Sequence, residues 1–175
     1  MKKILFTIIT TALFASSITY AEEFRLFSKN IREGKQLTNA QVFNGFGCNG
    51  KNKAPKFTWS GTPENTKSFA ITAYDPDAPT GSGWWHWITI NIPADTTKIG
   101  KEIPFEATEI ANDFGSKGYG GACPPPGEMH RYIFTLHALN TEQIDVPESV
   151  TSAYVRFLIN AHEIGKASIT AVYTR

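Results

Sequence analysis

The sequence predicts a mainly-β domain: an antiparallel β-core carrying a helix near its end. Three observations carry that prediction. Apolar and aromatic runs at residues 68–74, 85–92 and 132–139 read as strands. Clusters of proline, glycine and aspartate bound them and mark turns. From Pro147 to about Ile164, helical spacing puts Val150, Tyr154, Phe157, Leu158, Ala161 and Ile164 on one face.

In chain order, residues 1–21 are expected to be a signal peptide. Lys2 and Lys3 form a positive start, Ile4 to Ala15 a mostly apolar stretch, and Thr19-Tyr20-Ala21 a small-residue cleavage site. The stretch is too short for a spanning helix, and no other long apolar run follows, so no transmembrane segment is expected after cleavage. No cysteine lies near the cleavage point, which argues against a lipid anchor. The implied location is the bacterial periplasm, with secretion as the alternative.

Removing 21 of 175 residues leaves 154, one domain spanning 22–175. Cleavage takes away Lys2 and Lys3, so 17 basic residues become 15 against 16 acidic ones, a net charge of −1. That balance gives no electrostatic reason to expect nucleic acid or an anionic membrane surface as partner.

The first strand candidates are Phe24 to Phe27 and Phe57 to Trp59, each flanked by turn residues. Ser68 to Tyr74 alternates up to an Asp-Pro turn, and Trp85 to Ile92 is aromatic and β-branched up to Pro93. Residues 93–126 read as a long irregular loop, which in a compact domain tends to be functional. Tyr132 to Leu139 repeats the strand pattern. Asp145 or Pro147 starts the helix, Gly165 is its expected stop, and Ser168 to Tyr173 is a candidate closing strand.

The two cysteines, Cys48 and Cys123, make an even count in an oxidising compartment, and a disulfide between them is expected. Two buried thiols acting as small apolar groups are the alternative. Neither has a CxxC partner or a histidine at finger spacing, so no zinc site is expected.

Polar chemistry gathers in two segments. Asp75 ends a strand, with Asp77 two residues on and Pro76 and Pro79 fixing the turn; taken alone, both acids cap a turn as readily as they line a pocket. Strand alternation puts His86, Ile88 and Ile90 on one face. A hairpin brings His86 close to the Asp75 turn. The second segment runs from Gly118 through Gly120, Gly121, Cys123 and Pro124-Pro125-Pro126 to His130. Its glycines allow close approach to a ligand and would expose amide N–H groups as anion donors. Arg131 is expected to pair with a carboxylate such as Asp77, while His137 and His162 read as structural or surface residues. The chain carries no HExxH, GxSxG or comparable nucleophile-and-base signature. Binding is therefore favoured over catalysis, no catalytic residue is assigned, and no cofactor or metal is expected.

Together these segments resemble the phosphatidylethanolamine-binding protein family, also called Raf-kinase-inhibitor-like proteins, and within it the exported bacterial branch. One motif is matched by Asp75-Pro76-Asp77-Ala78-Pro79 with His86. The other is matched by the loop from Gly120 to Gly127 with His130-Arg131-Tyr132. The likeness extends to Trp59-Ser60-Gly61 and the late helix. It implies an antiparallel β-sandwich, a large central sheet with a smaller one, and peripheral and C-terminal helices. It also implies a small cavity for an anion or phosphoethanolamine-like phospholipid head group. Asp75, His86 and His130 would line it, Asp77 and Pro79 would shape it, and Gly121, Cys123 and Pro125 would form the opposite wall. The kinase-inhibitor role needs partners absent from a periplasm and is not carried over. A protein target bound at the pocket rim is the second reading, and a hydrolase using the same residues the third; homodimerisation stays open.

Overall fold

The computed structural model describes residues 22–175. The expected signal peptide, residues 1–21, lies outside the described residues. In chain order the elements are β1 (Arg25–Ser28), β2 (Asn44–Gly45), β3 (Cys48–Asn49), β4 (Phe57–Ser60), β5 (Ser68–Asp75) and β6 (Trp84–Pro93). Then follow β7 (Lys98–Ile99), β8 (Thr108–Glu109), β9 (Met129–Leu139), α1 (Ser152–His162) and β10 (Glu163–Thr174).

The large sheet has five strands in the order β10-β9-β5-β6-β8, every neighbour antiparallel. A three-stranded sheet, β1-β4-β7, packs on one of its faces, and β2–β3 is a separate small hairpin. Strand alternation explains the layering. Phe69, Ile71 and Ala73 of β5, Trp87 of β6, and Tyr132, Phe134 and Leu136 of β9 are buried with Leu26, Phe57 and Ile99 of the small sheet. The other face buries Ala70, Ile88 and Ile90 against Val155 and Ile159 of α1. With both faces covered, β5 is buried along nearly its whole length, not on one side only as its alternation suggests. The expected mainly-β class with a large and a smaller sheet is the architecture observed.

Three boundaries differ from the sequence reading. The helix begins at Ser152, not Pro147, because Thr151 caps it: its hydroxyl accepts the Tyr154 N–H at 3.3 Å. It ends without a glycine stop, since Glu163 is already extended and opens β10, and Gly165 lies at a register shift inside that strand. The closing strand starts five residues earlier than expected because β10 pairs with β9 from Glu163↔Leu139 to Thr174↔Met129. The buried stripe of α1 is Val155 and Ile159, while Tyr154 and Phe157 are exposed. His137 lies on the helix face of the large sheet, buried between Glu163 (2.6 Å) and the Thr72 hydroxyl (3.0 Å), in keeping with a structural role. Among the described residues no helix is long and apolar enough to cross a membrane.

Cys48 and Cys123 form a disulfide across a sequence separation of 75 residues, tying the β2–β3 hairpin to the loop before β9. In the chain-entropy account a loop of this length contributes about 4 kcal/mol. A Cys48→Ser/Cys123→Ser double variant is expected to lose about 2–5 kcal/mol in urea unfolding; an unchanged midpoint would contradict this role.

Candidate functional site

The site begins at the end of β5. Asp75 Oδ1 accepts the N–H groups of Asp77 (2.8 Å) and Ala78 (3.1 Å), so the side chain caps the turn that its own strand enters. Its second oxygen accepts Nδ1–H of His130 at 2.7 Å, and the whole residue is buried. Asp77 turns the opposite way. Its carboxylate receives Arg131 Nε (2.9 Å) and Nη2 (2.6 Å) and the Arg131 backbone N–H (2.8 Å). The Arg131 guanidinium holds Asp77 down to about 2. One acid therefore faces the cavity and the other locks the turn to the start of β9.

His86 reaches Asp75 through an irregularity that alternation cannot show. Along β6 the partners of Ala73 and Tyr74 are Trp87 and Trp85, so His86 is the extra, unpaired residue of a bulge. The bulge places its ring edge-on to Tyr132, centroids 5.2 Å apart, on the Asp75 side of the sheet. Ile88 and Ile90, expected beside it, face the helix instead. Nδ1–H of His86 donates to the Gly120 carbonyl at 2.8 Å, which leaves Nε2 3.9 Å from Asp75 Oδ2.

The two histidines are shifted in opposite directions. Burial pushes the His86 imidazole below its ordinary value, against the opposing pull of the Gly120 carbonyl and Asp75. Burial also works against the charged form of His130. There, however, the hydrogen bonds to Asp75 and to Glu128, at 3.1 Å from Nε2, outweigh it and raise the value. A carboxylate at each nitrogen favours the imidazolium, in which both His130 N–H groups donate.

Above this floor lies a cavity of about 400 Å³. Asp75, His86, His130, Pro79, Cys123 and Pro125 line it together with the aromatic rings of Phe46, Trp84, Phe114 and Tyr132. Asp77 and Gly121 are not among the lining residues. Gly121 packs so tightly that a Cβ there would lie 2.4 Å from the Phe43 nitrogen. The loop amides do not face the cavity as expected. Gly120 N donates to the His86 carbonyl (2.7 Å), Gly121 N to Asn52 Oδ1 (2.6 Å) and Ala122 N to the Gln41 carbonyl (3.1 Å). Two buried donors of lining residues, Trp84 Nε1 and Tyr132 Oη, make no short hydrogen bond among the described residues, and neither atom is exposed to the cavity; the Tyr132 hydroxyl lies near Asp75 and the Cys123 N–H. Burial, helped by the Asp75 charge, pushes the Tyr132 hydroxyl up, so it keeps its proton.

Sequence reasoning gave no site role to Phe46, Trp84, Phe114, Glu128 or Arg175. Phe46 reaches the cavity through the Cys48–Cys123 disulfide two residues away, and Arg175 through the pairing of β10 with β9. Only the disulfide left a sequence signal. Among the described residues no group of three or more His, Cys, Asp or Glu side chains is placed to hold a metal ion.

The buried Asp75–His130 pair sets a stability expectation. Because the His130 value is raised, its contribution is fully present below about pH 6.5 and is lost as pH rises through the raised value. Asp75→Asn is expected to cost about 3–5 kcal/mol at pH 6, and less at pH 9. Urea midpoints equal to wild type at pH 6 would contradict it.

A family model described as phosphatidylethanolamine-binding protein matches residues 27–174. The chain is 49% identical over 176 residues to the UPF0098 protein YbcL of Escherichia coli K12, covering 95% of this chain and 96% of that protein. It is 47% identical to YbhB of the same strain over 157 residues, 86% of this chain and 99% of YbhB. The crystal structure of E. coli YbcL, described as a new member of the mammalian PEBP family, superposes with a TM-score of 0.85 at 50% identity, covering 88% and 99% of the two chains. A putative phosphatidylethanolamine-binding homologue from Chlamydia trachomatis superposes at 0.74 with 27% identity, covering 87% and 97%. With this match across nearly all of the described residues, the chain belongs to the phosphatidylethanolamine-binding protein family.

Proposed function

We propose that this protein is an exported, periplasmic, non-enzymatic binder of a small anion or phosphoethanolamine-like head group, held in the cavity over Asp75, His86 and His130. One observation carries the reading. Asp75, His86 and His130 meet at the floor of a cavity of about 400 Å³ that is walled by Phe46, Trp84, Phe114 and Tyr132. When protonated, His130 offsets the Asp75 charge that would otherwise repel an anion at this floor.

Two features favour binding over chemistry. The Cys123 sulfur is committed to the disulfide and supplies no thiol nucleophile. Both nitrogens of His130 are engaged by carboxylates. The disulfide also suits the oxidising compartment that the proposed signal peptide implies. Recognition of a protein through the pocket rim is the second reading, favoured by Phe46, which borders the cavity yet is 68% exposed.

Isothermal titration with inorganic phosphate and with phosphoethanolamine tests the reading. Saturable binding is expected, weaker at pH 8 than at pH 6 as the His130 charge is lost above its raised value. A His86→Ala/His130→Ala double variant, confirmed to be folded, is expected to weaken it about tenfold or more. No binding by folded wild type would sink the head-group reading and turn the search to protein partners.

A further inference from the structure

The cavity's donors near its floor are largely spent. His130 gives both N–H groups to carboxylates, His86 gives Nδ1–H to Gly120, and the amides of Gly120, Gly121 and Ala122 serve the scaffold. Asp75 adds a negative charge among the lining residues. An anion held here therefore needs a counter-charge from elsewhere on the lining.

Arg175 is the one lysine or arginine among the residues that line the cavity. Its position is built by two separate elements. Its backbone oxygen accepts the Gly127 N–H at 2.9 Å, which anchors it to the turn that leads into β9. Proline at 126 and Gly127 at φ +83°, with Glu128 N–H returning to the Pro125 carbonyl at 3.1 Å, give that turn its shape. Its guanidinium rests on the β2–β3 hairpin, with Nη1 3.4 Å from both the Phe46 carbonyl and the Cys48 sulfur. Among the described residues it forms no ion pair: the carboxylates that bind arginine pair with Arg25, Arg131 and Arg156. A guanidinium held only by long contacts to neutral acceptors keeps most of its donor capacity for a ligand.

We propose that Arg175 is the permanent cationic binding residue of this cavity, presented by the disulfide-tied hairpin and directed at a phosphate-type anion. The proposal rests on the head-group reading and adds to it a charge that histidine titration does not remove. Arg175 and Trp84 border the same cavity, and Phe46 and Phe114 lie between them as a continuous aromatic wall, ring centroids 5.7 Å apart. The ligand's apolar remainder would lie along that wall.

The test is titration of phosphoethanolamine and inorganic phosphate at pH 8 into wild type, Arg175→Gln and Arg175→Lys, with thermal unfolding confirming that each variant is folded. Loss of a charge-assisted hydrogen bond is expected to weaken both ligands about tenfold to a hundredfold in Arg175→Gln. Arg175→Lys should recover part of that loss by restoring the charge without the bidentate fork. Equal affinity of wild type and Arg175→Gln would overturn the assignment while leaving the head-group reading in place. Absence of binding by wild type at both pH 6 and pH 8 would overturn both together.

Discussion

A carboxylate buried at the end of a strand is the constraint on which the site depends. Water no longer solvates Asp75, so protein donors must. Two come from the turn that Asp75 itself begins, and the third is Nδ1–H of His130, 55 residues further on. This one side chain thus fixes the proline turn and orients the ring that opens β9. Through His130, it also leaves Glu128 as the second partner of that ring. Asp77 repeats the arrangement on the outside, where Arg131 reads both of its oxygens. The turn is clamped twice, once inside and once outside, and the cavity floor takes its shape from the inner clamp.

The opposite wall depends on a covalent constraint. The β2–β3 hairpin has two residues per strand and little pairing of its own. The disulfide holds it against the loop that precedes β9, and so positions Phe46 and the surface on which Arg175 rests. Floor and wall therefore come from different physics. The floor is a buried ion-pair network on rigid strands, and the wall is an aromatic surface tethered by a cross-link. A site of this kind suits a ligand with a charged end and an apolar remainder.

Much of the fold was legible because its signals are local. Ser68–Tyr74, Trp85–Ile92 and Tyr132–Leu139 carry period-two or continuous apolar patterns, and each proves to be the body of a large-sheet strand. The two-residue strands β2, β3, β7 and β8 have no length over which a period can appear. The helix start was misplaced because Thr151, an N-cap whose partner is three residues on, competes in sequence with Pro147. The meeting of Asp75, His86 and His130 followed from motif and hairpin logic. Their geometry did not: the bulge at His86 depends on the register of β5 against β6, which no single strand contains. The loop amides were misassigned for the same reason, since their acceptors lie on segments near Gln41 and Asn52, far away in sequence.

The central claim is that Asp75 and Glu128 keep His130 charged while burial keeps His86 neutral, and NMR titration of the histidine ring resonances in the ligand-free protein tests it most directly. His130 is expected to titrate above the ordinary histidine value of about 6.5 and His86 below it, with Asp75→Asn lowering the His130 value. If His130 titrates at or below that value, or Asp75→Asn leaves it unmoved, the buried acid does not organise the site and the account fails.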